Sequence, residues 1–125
     1  MTGRDILSDA GLWRDAAYVN GAWVPDGKAG TMDLCNPATG ATLATLPQLD
    51  AGQVRDAVDA AEAAFGPWRL RPAKDRAKLL HRWFDLMTAH AEDLARLIVL
   101  EEGKPFAEAK GEVAYAASFV EWVAA

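Results

Sequence analysis

The run Phe106–Ala125, "FAEAKGEVAYAASFVEWVAA", constrains the fold more than any other part of this chain. At helical spacing, Tyr115, Phe119 and Trp122 share one face, while Val113, Ala116, Ala117, Val120 and Ala124 share another. From Gly111 onward only Glu112 and Glu121 interrupt the run with charge. A helix that is apolar over most of its circumference belongs in an interior. The preceding sequence supplies two short hairpins and three or four helices, too little to cover both faces. The expectation is a chain that forms the front part of something longer.

The remaining elements follow from turn chemistry and periodicity. "DILSDAGLWRDAA" reads as a short surface helix with Ile6, Leu7 and Leu12 on its apolar side. "YVNGAWV" sets β-formers on either side of Asn20-Gly21, a pair that favours tight hairpins. Residues 31–47 read as a second hairpin, turned by Asn36-Pro37-Ala38-Thr39-Gly40. At Asp50 the period becomes helical. Asp50 is a candidate N-cap and Gln53 completes a capping box. Val54, Ala57, Val58, Ala61, Ala64 and Phe65 form the apolar stripe, and Gly66-Pro67 is read as its stop. Pro72 opens the next helix, with a stripe of Leu79, Leu80, Trp83, Phe84 and Met87. A break is expected near residues 88–90. The pattern then continues through Leu94, Leu97, Ile98 and Val99 to a stop at Gly103-Lys104-Pro105.

Charge and composition exclude several functions. The formal net charge of −5 and the absence of a basic run argue against nucleic acid or an anionic membrane as partner. Apolar residues make up 51%, but 26 of them are alanine, so the core is thinner than that share suggests. No segment has signal-peptide or membrane-spanning character. With one cysteine there is no internal disulfide, and a reducing, cytoplasmic setting is expected.

Little catalytic chemistry is visible. No Gly-x-Gly occurs, and Gly103-Lys104 is followed by proline, so neither a dinucleotide fingerprint nor a phosphate loop is present. His81 and His90 are too far apart on a helix to share a metal, and Ser118 lies mid-helix without a glycine elbow. The lone Cys35 has no activating cation or helix N-terminus beside it. It reads as a small apolar strand residue rather than a nucleophile. Most carboxylates fall on helix outer faces, Glu92-Arg96 as an i,i+4 pair and Glu108-Glu112 as a like-charged one.

Four segments in register carry a resemblance: "YVNGAWV", "NPATGATLATLP", "FGPWRLRPAKDRAKLLHRWFDLM" and "DLARLIVLEEGKPFAEAKGEVAYAASFVEW". Together they are similar to the N-terminal part of the NAD(P)-dependent aldehyde dehydrogenase superfamily. The likeness is greatest to succinate-semialdehyde dehydrogenases, on "RWFDLM", "EEGKP" and "EAKGEVAYAASFVEW". The resemblance implies an α/β fold, in which residues 1–125 are a partial N-terminal portion of the cofactor-binding domain. The catalytic and oligomerisation parts would lie outside these residues, in a chain about four times as long. In such enzymes a cysteine thiolate attacks the aldehyde, hydride passes to NAD or NADP, and an activated water releases the acid. The implied substrate is an aldehyde, succinate semialdehyde by subfamily, and the implied assembly a homo-oligomer. Cys35 does not match the nucleophile's motif. No catalytic or cofactor-binding residue is therefore assigned, and the chain alone is expected to be inactive and to bind no cofactor. By position in the family, Phe119 and Trp122 would help line the substrate tunnel, with Glu112 and Tyr115 as neighbours. Some members bind a monovalent cation, which would fall here at backbone oxygens near Leu34 and Cys35 and at Glu101; no metal site is assigned. The competing expectation is a stand-alone, inactive helical interaction module derived from that family.

Overall fold

A computed structural model describes residues 3–125. Two 3-10 turns, Gly3–Ile6 and Ala10–Leu12, lead into two antiparallel hairpins. The first pairs β1 (Ala17–Val19) with β2 (Ala22–Val24), and the second pairs β3 (Thr31–Cys35) with β4 (Thr42–Pro47). Four helices follow: α1 (Ala51–Leu70), α2 (Ala73–Ala89), α3 (Ala91–Glu102) and α4 (Phe106–Ala124). The mixture of strands and helices is of the α/β class.

The hairpins are set by their turns. Asn20 and Gly21 both take positive φ, 49° and 79°, which reverses β1 into β2 with the twist strands prefer. In the second turn, Asn36 Oδ1 accepts from the amides of Ala38 and Thr39, and Gly40 N donates to Asn36 O. The register slips between Leu34 and Cys35, so a bulge ends the ladder beside that turn.

The expected boundary at Asp50 is present as a full capping box: Gln53 N donates to Asp50 Oδ1 at 2.8 Å and Asp50 N to Gln53 Oε1 at 3.2 Å. Gln53 also accepts from Lys28 N and donates to Asp26 O, tying α1's first turn to the loop between the hairpins. The expected stop at Gly66-Pro67 is absent. α1 runs through both residues to Leu70. Pro67 opens the last turn, where it costs one bond to the Ala63 carbonyl rather than interrupting a long ladder. Arg76 then reaches back, its Nη1 donating to the carbonyls of Arg69 and Arg71, and satisfies acceptors that the helix end leaves open. The break before α3 and the stop at Gly103 lie where the sequence places them. Gly103 has φ 74°, a left-handed C-cap that β-carbon-bearing residues resist.

Packing is concentrated in the last three helices. α4 lies against both α2 and α3. Ala95 of α3 and Ala109 and Val113 of α4 form the buried centre, with Ala91, Leu94, Ile98 and Val99 around it. Along α4 the buried positions are Ala109, Val113, Ala117, Val120 and Ala124, a single stripe. Small residues there let the helices approach closely. The apolar stripes of α1 and α2 are covered only in part. α1 has no buried residue, and Val54, Val58 and Phe65 are all at least half exposed. On α2, Leu79 and Trp83 face outward while Leu80, Phe84 and Met87 are half-buried. The N-terminal segment forms 3-10 turns instead of an α-helix, and it buries Leu7 and Trp13 rather than presenting a surface stripe.

Candidate functional site

The outer face of α4 carries the residues the sequence singles out. Tyr115 and Phe119 meet edge to face, with centroids 4.8 Å apart and planes at 84°. Their i,i+4 spacing places one above the other on the helix. Trp122 is 82% exposed and Phe119 55%, whereas Val120 beside them is 9% exposed. Phe119 and Trp122 share an open groove of about 640 Å³ with Ser118, Glu121 and Ala125. The aromatic trio is therefore an outward surface and not the helix's packing side.

Glu112 belongs to a different arrangement. Its carboxylate pairs with Lys104 Nζ, and Lys104 also faces Glu102 at 3.5 Å. The Glu112 bond, first, and the charge of both acids hold the Lys104 ammonium above its usual range. This cluster fixes the turn between α3 and α4, so Glu112 sets the start of the aromatic helix instead of joining its aromatic face.

A second cleft, about 270 Å³, lies between the N-terminal segment, the second hairpin and α3. Leu12, Trp13, Leu34, Leu46 and Leu97 supply its apolar wall, and Glu101 its one carboxylate. Desolvation there, followed by repulsion from Glu102, raises the Glu101 carboxyl above its ordinary value. Leu34 and Glu101 thus share one cleft. Cys35 is exposed at the end of β3, with Thr42 Oγ1 4.0 Å from its sulfur. Cys35 is a strand residue as expected, and strand alternation puts it on the opposite face from the half-buried Leu34. Among the described residues no cation and no basic side chain is bonded to the sulfur.

One strong electrostatic site was not singled out from sequence. Asp93, 4% exposed, accepts from Ser8 N at 3.0 Å and Asp9 N at 2.8 Å, and from Arg96 at 2.5 Å. The two backbone bonds, then Arg96, pull its carboxyl down to about 2. Because the folded value lies below the ordinary 3.8, its stabilising contribution is full above that pH and fades as pH falls through about 2. Asp93 reads locally as a first-turn helix acid; its partners lie more than eighty residues away in sequence, and no local pattern announces them.

No helix start among the described residues is arranged as a phosphate site. The cap of α1 is filled by the Asp50 carboxylate, α2 and α4 start after Pro72 and Pro105, and α3 carries Glu92 and Asp93 in its first turn. Each arrangement opposes a phosphate at the helix start or fails to offer a glycine-lined approach. Among the described residues no group of three or more His, Cys, Asp or Glu is placed to hold a metal, and no helix is long and apolar enough to cross a membrane.

Two local hairpins, a capped first helix and an α2–α3–α4 packing unit with an outward aromatic face are the features against which relatives can be compared. A profile of the aldehyde dehydrogenase family matches residues 23–125, and the chain belongs to that family. It is 53% identical over 116 residues to a glutarate-semialdehyde dehydrogenase of Pseudomonas aeruginosa, covering 93% of this chain and 24% of that protein. It is 49% identical over 118 residues to an NADP-dependent succinate-semialdehyde dehydrogenase of Escherichia coli, covering 94% and 24%. The crystal structure of a succinate-semialdehyde dehydrogenase from Burkholderia pseudomallei superposes with a TM-score of 0.91 at 47% identity, over 95% of this chain and 25% of that one. The chain spans about a quarter of the length of the curated relatives it matches.

Proposed function

We propose that residues 1–125 are the N-terminal portion of the cofactor-binding domain of a cytoplasmic, homo-oligomeric enzyme that oxidises a carboxylate-bearing aldehyde to the acid with NAD or NADP. Succinate semialdehyde is the substrate first proposed. The names of the two relatives above support this class, since succinate and glutarate semialdehydes are both aldehydes with a carboxylate at the far end. In this reading Phe119 and Trp122 form part of the wall of the aldehyde's entry path. The observation that carries it is the division of α4: aliphatic residues are buried on one side, while Trp122 and Phe119 stand exposed on the other with a groove between them. A flat indole beside a path orients a small aldehyde without touching the reacting carbon, and misplacement by about 1 Å costs on the order of a hundredfold in rate. The residues described supply no thiolate with an activator and no cofactor cradle, so the chain alone is proposed to be inactive.

The test uses the complete enzyme containing this segment. Trp122→Ala is expected to leave Tm near that of the parent and to lower kcat/KM by about ten- to a hundredfold. Val120→Ala is expected to do the reverse, at a cost of about 1–2 kcal/mol in stability with normal kcat/KM. A Trp122→Ala enzyme with a much lower Tm and unchanged kcat/KM sinks the entry-path role. The interaction-module reading draws support from the exposure of Phe65, Leu70 and Trp83 on other helices. It predicts a monodisperse, reversibly melting chain, whereas the proposed reading expects self-association through uncovered apolar surface.

A further inference from the structure

The N-terminal segment is attached to the helices in an unusual way. Its two 3-10 turns pair with no strand, and its internal bonds are short-range: Leu12 N to Asp9 O, Trp13 N to Ala10 O, and Gly11 N to the Asp9 side chain. Three sets of contacts among the described residues tie Leu7–Trp13 to the helices. Leu7 and Trp13 are buried; Asp93 accepts the consecutive amides of Ser8 and Asp9; and Arg96 donates both to Asp93 and, at 3.2 Å, to Ser8 Oγ. Beyond Trp13 the chain is held elsewhere, since Arg14 stacks over Trp23 of the first hairpin at 5.1 Å. The central cluster of Ala95, Ala109 and Val113 includes no residue of this segment.

We propose that Leu7–Trp13 is a strap latched to α3 by the Asp93 carboxylate, able to open as a unit without unfolding α2, α3 or α4. Leu12 and Trp13 form one wall of the cleft that Leu34, Leu46, Leu97 and Glu101 complete, so opening the strap opens that cleft. The physical basis is the separation of the two sets of contacts. A segment held by two buried side chains and a few polar bonds to Asp93 and Arg96 opens at lower free energy than the packed centre. The Asp93 carboxylate is the weak point of the latch because it serves two backbone amides at once, and an acceptor with one oxygen and one amide nitrogen serves only one of them.

Amide hydrogen exchange on the complete enzyme containing this segment tests this at neutral pH. In the parent protein under increasing urea below the unfolding transition, the amides of Ser8, Asp9 and Trp13 are expected to open before those of Val113, Ala117 and Val120. In Asp93→Asn, exchange at Ser8 and Asp9 is expected to rise on the order of tenfold or more while the α4 amides keep their protection. Strap amides that open only together with α4 in the parent overturn the proposal, and this arm stands even if the variant fails to fold. A folded Asp93→Asn protein with unchanged strap exchange overturns it equally.

Discussion

Helices α1 and α4 differ by one residue in length, 20 against 19, and are held in place by opposite means. α1 has both ends fixed by local chemistry, with a capping box at Asp50 and Arg76 bonded to its terminal carbonyls, yet buries no side chain. α4 begins after Pro105 with no side-chain cap, yet buries five residues against α2 and α3. Local signals therefore fix where a helix starts, while a buried face fixes where it sits. Most helical stability in proteins comes from packing a face, so α1, which buries no side chain, depends on its ends more heavily than α4 does.

The largest expected effect comes from making the same substitution on both helices. Ala109→Leu forces a larger side chain into a position with no exposed surface and is expected to cost about 1–3 kcal/mol. Ala63→Leu, on the exposed side of α1, is expected to change stability by about 0.5 kcal/mol or less. Thermal or urea unfolding of the two variants measures the difference. Equal costs would mean that α1 is packed as tightly as α4, and the contrast between the helices would fail.

Asp50→Ala probes the other side of the contrast. It removes the cap on Gln53 N and is expected to cost about 1 kcal/mol. The loss should appear as faster amide exchange in the first turn of α1 and in the Asp26–Lys28 loop that Gln53 holds, with α4 unchanged. Loss of protection in α4 would show that α1 is coupled to the packing unit after all.

This division also explains what was readable in the sequence. Asn20-Gly21, the Asn36–Gly40 turn, Asp50 with Gln53, and Gly103 each specify backbone geometry within a few residues, and all four appear in place. The same holds for the spacing that set Tyr115 and Phe119 on one face of α4. Periodicity was a poorer guide to burial. Val54, Val58 and Phe65 recur at helical spacing, which shows that they share a face, but it cannot say what lies opposite that face. The strap shows the limit most clearly. Its 3-10 turns and the role of Asp93 depend on bonds spanning 84 and 85 residues, and an acid in the first turn of a helix is ordinary without them.

The smallest expected effect bears on the one boundary that the sequence misplaces. Gly66-Pro67 has the composition of a helix stop, and a stop there would place Gly66 in a left-handed cap, as Gly103 is at the end of α3. Gly66 instead lies within α1, is not among the positive-φ glycines, and has open space where a β-carbon would point. The two geometries predict opposite signs for Gly66→Ala. In a continuous helix, alanine restricts the unfolded chain and is expected to stabilise by about 0.5–1 kcal/mol. In a left-handed cap the new β-carbon would strain the backbone and destabilise by a similar amount or more. The effect is small because Pro67 still removes one bond and the turn beyond it is short. It is read best as amide protection at Phe65–Arg69, where a gain supports one helix to Leu70, and a loss returns the boundary to Gly66.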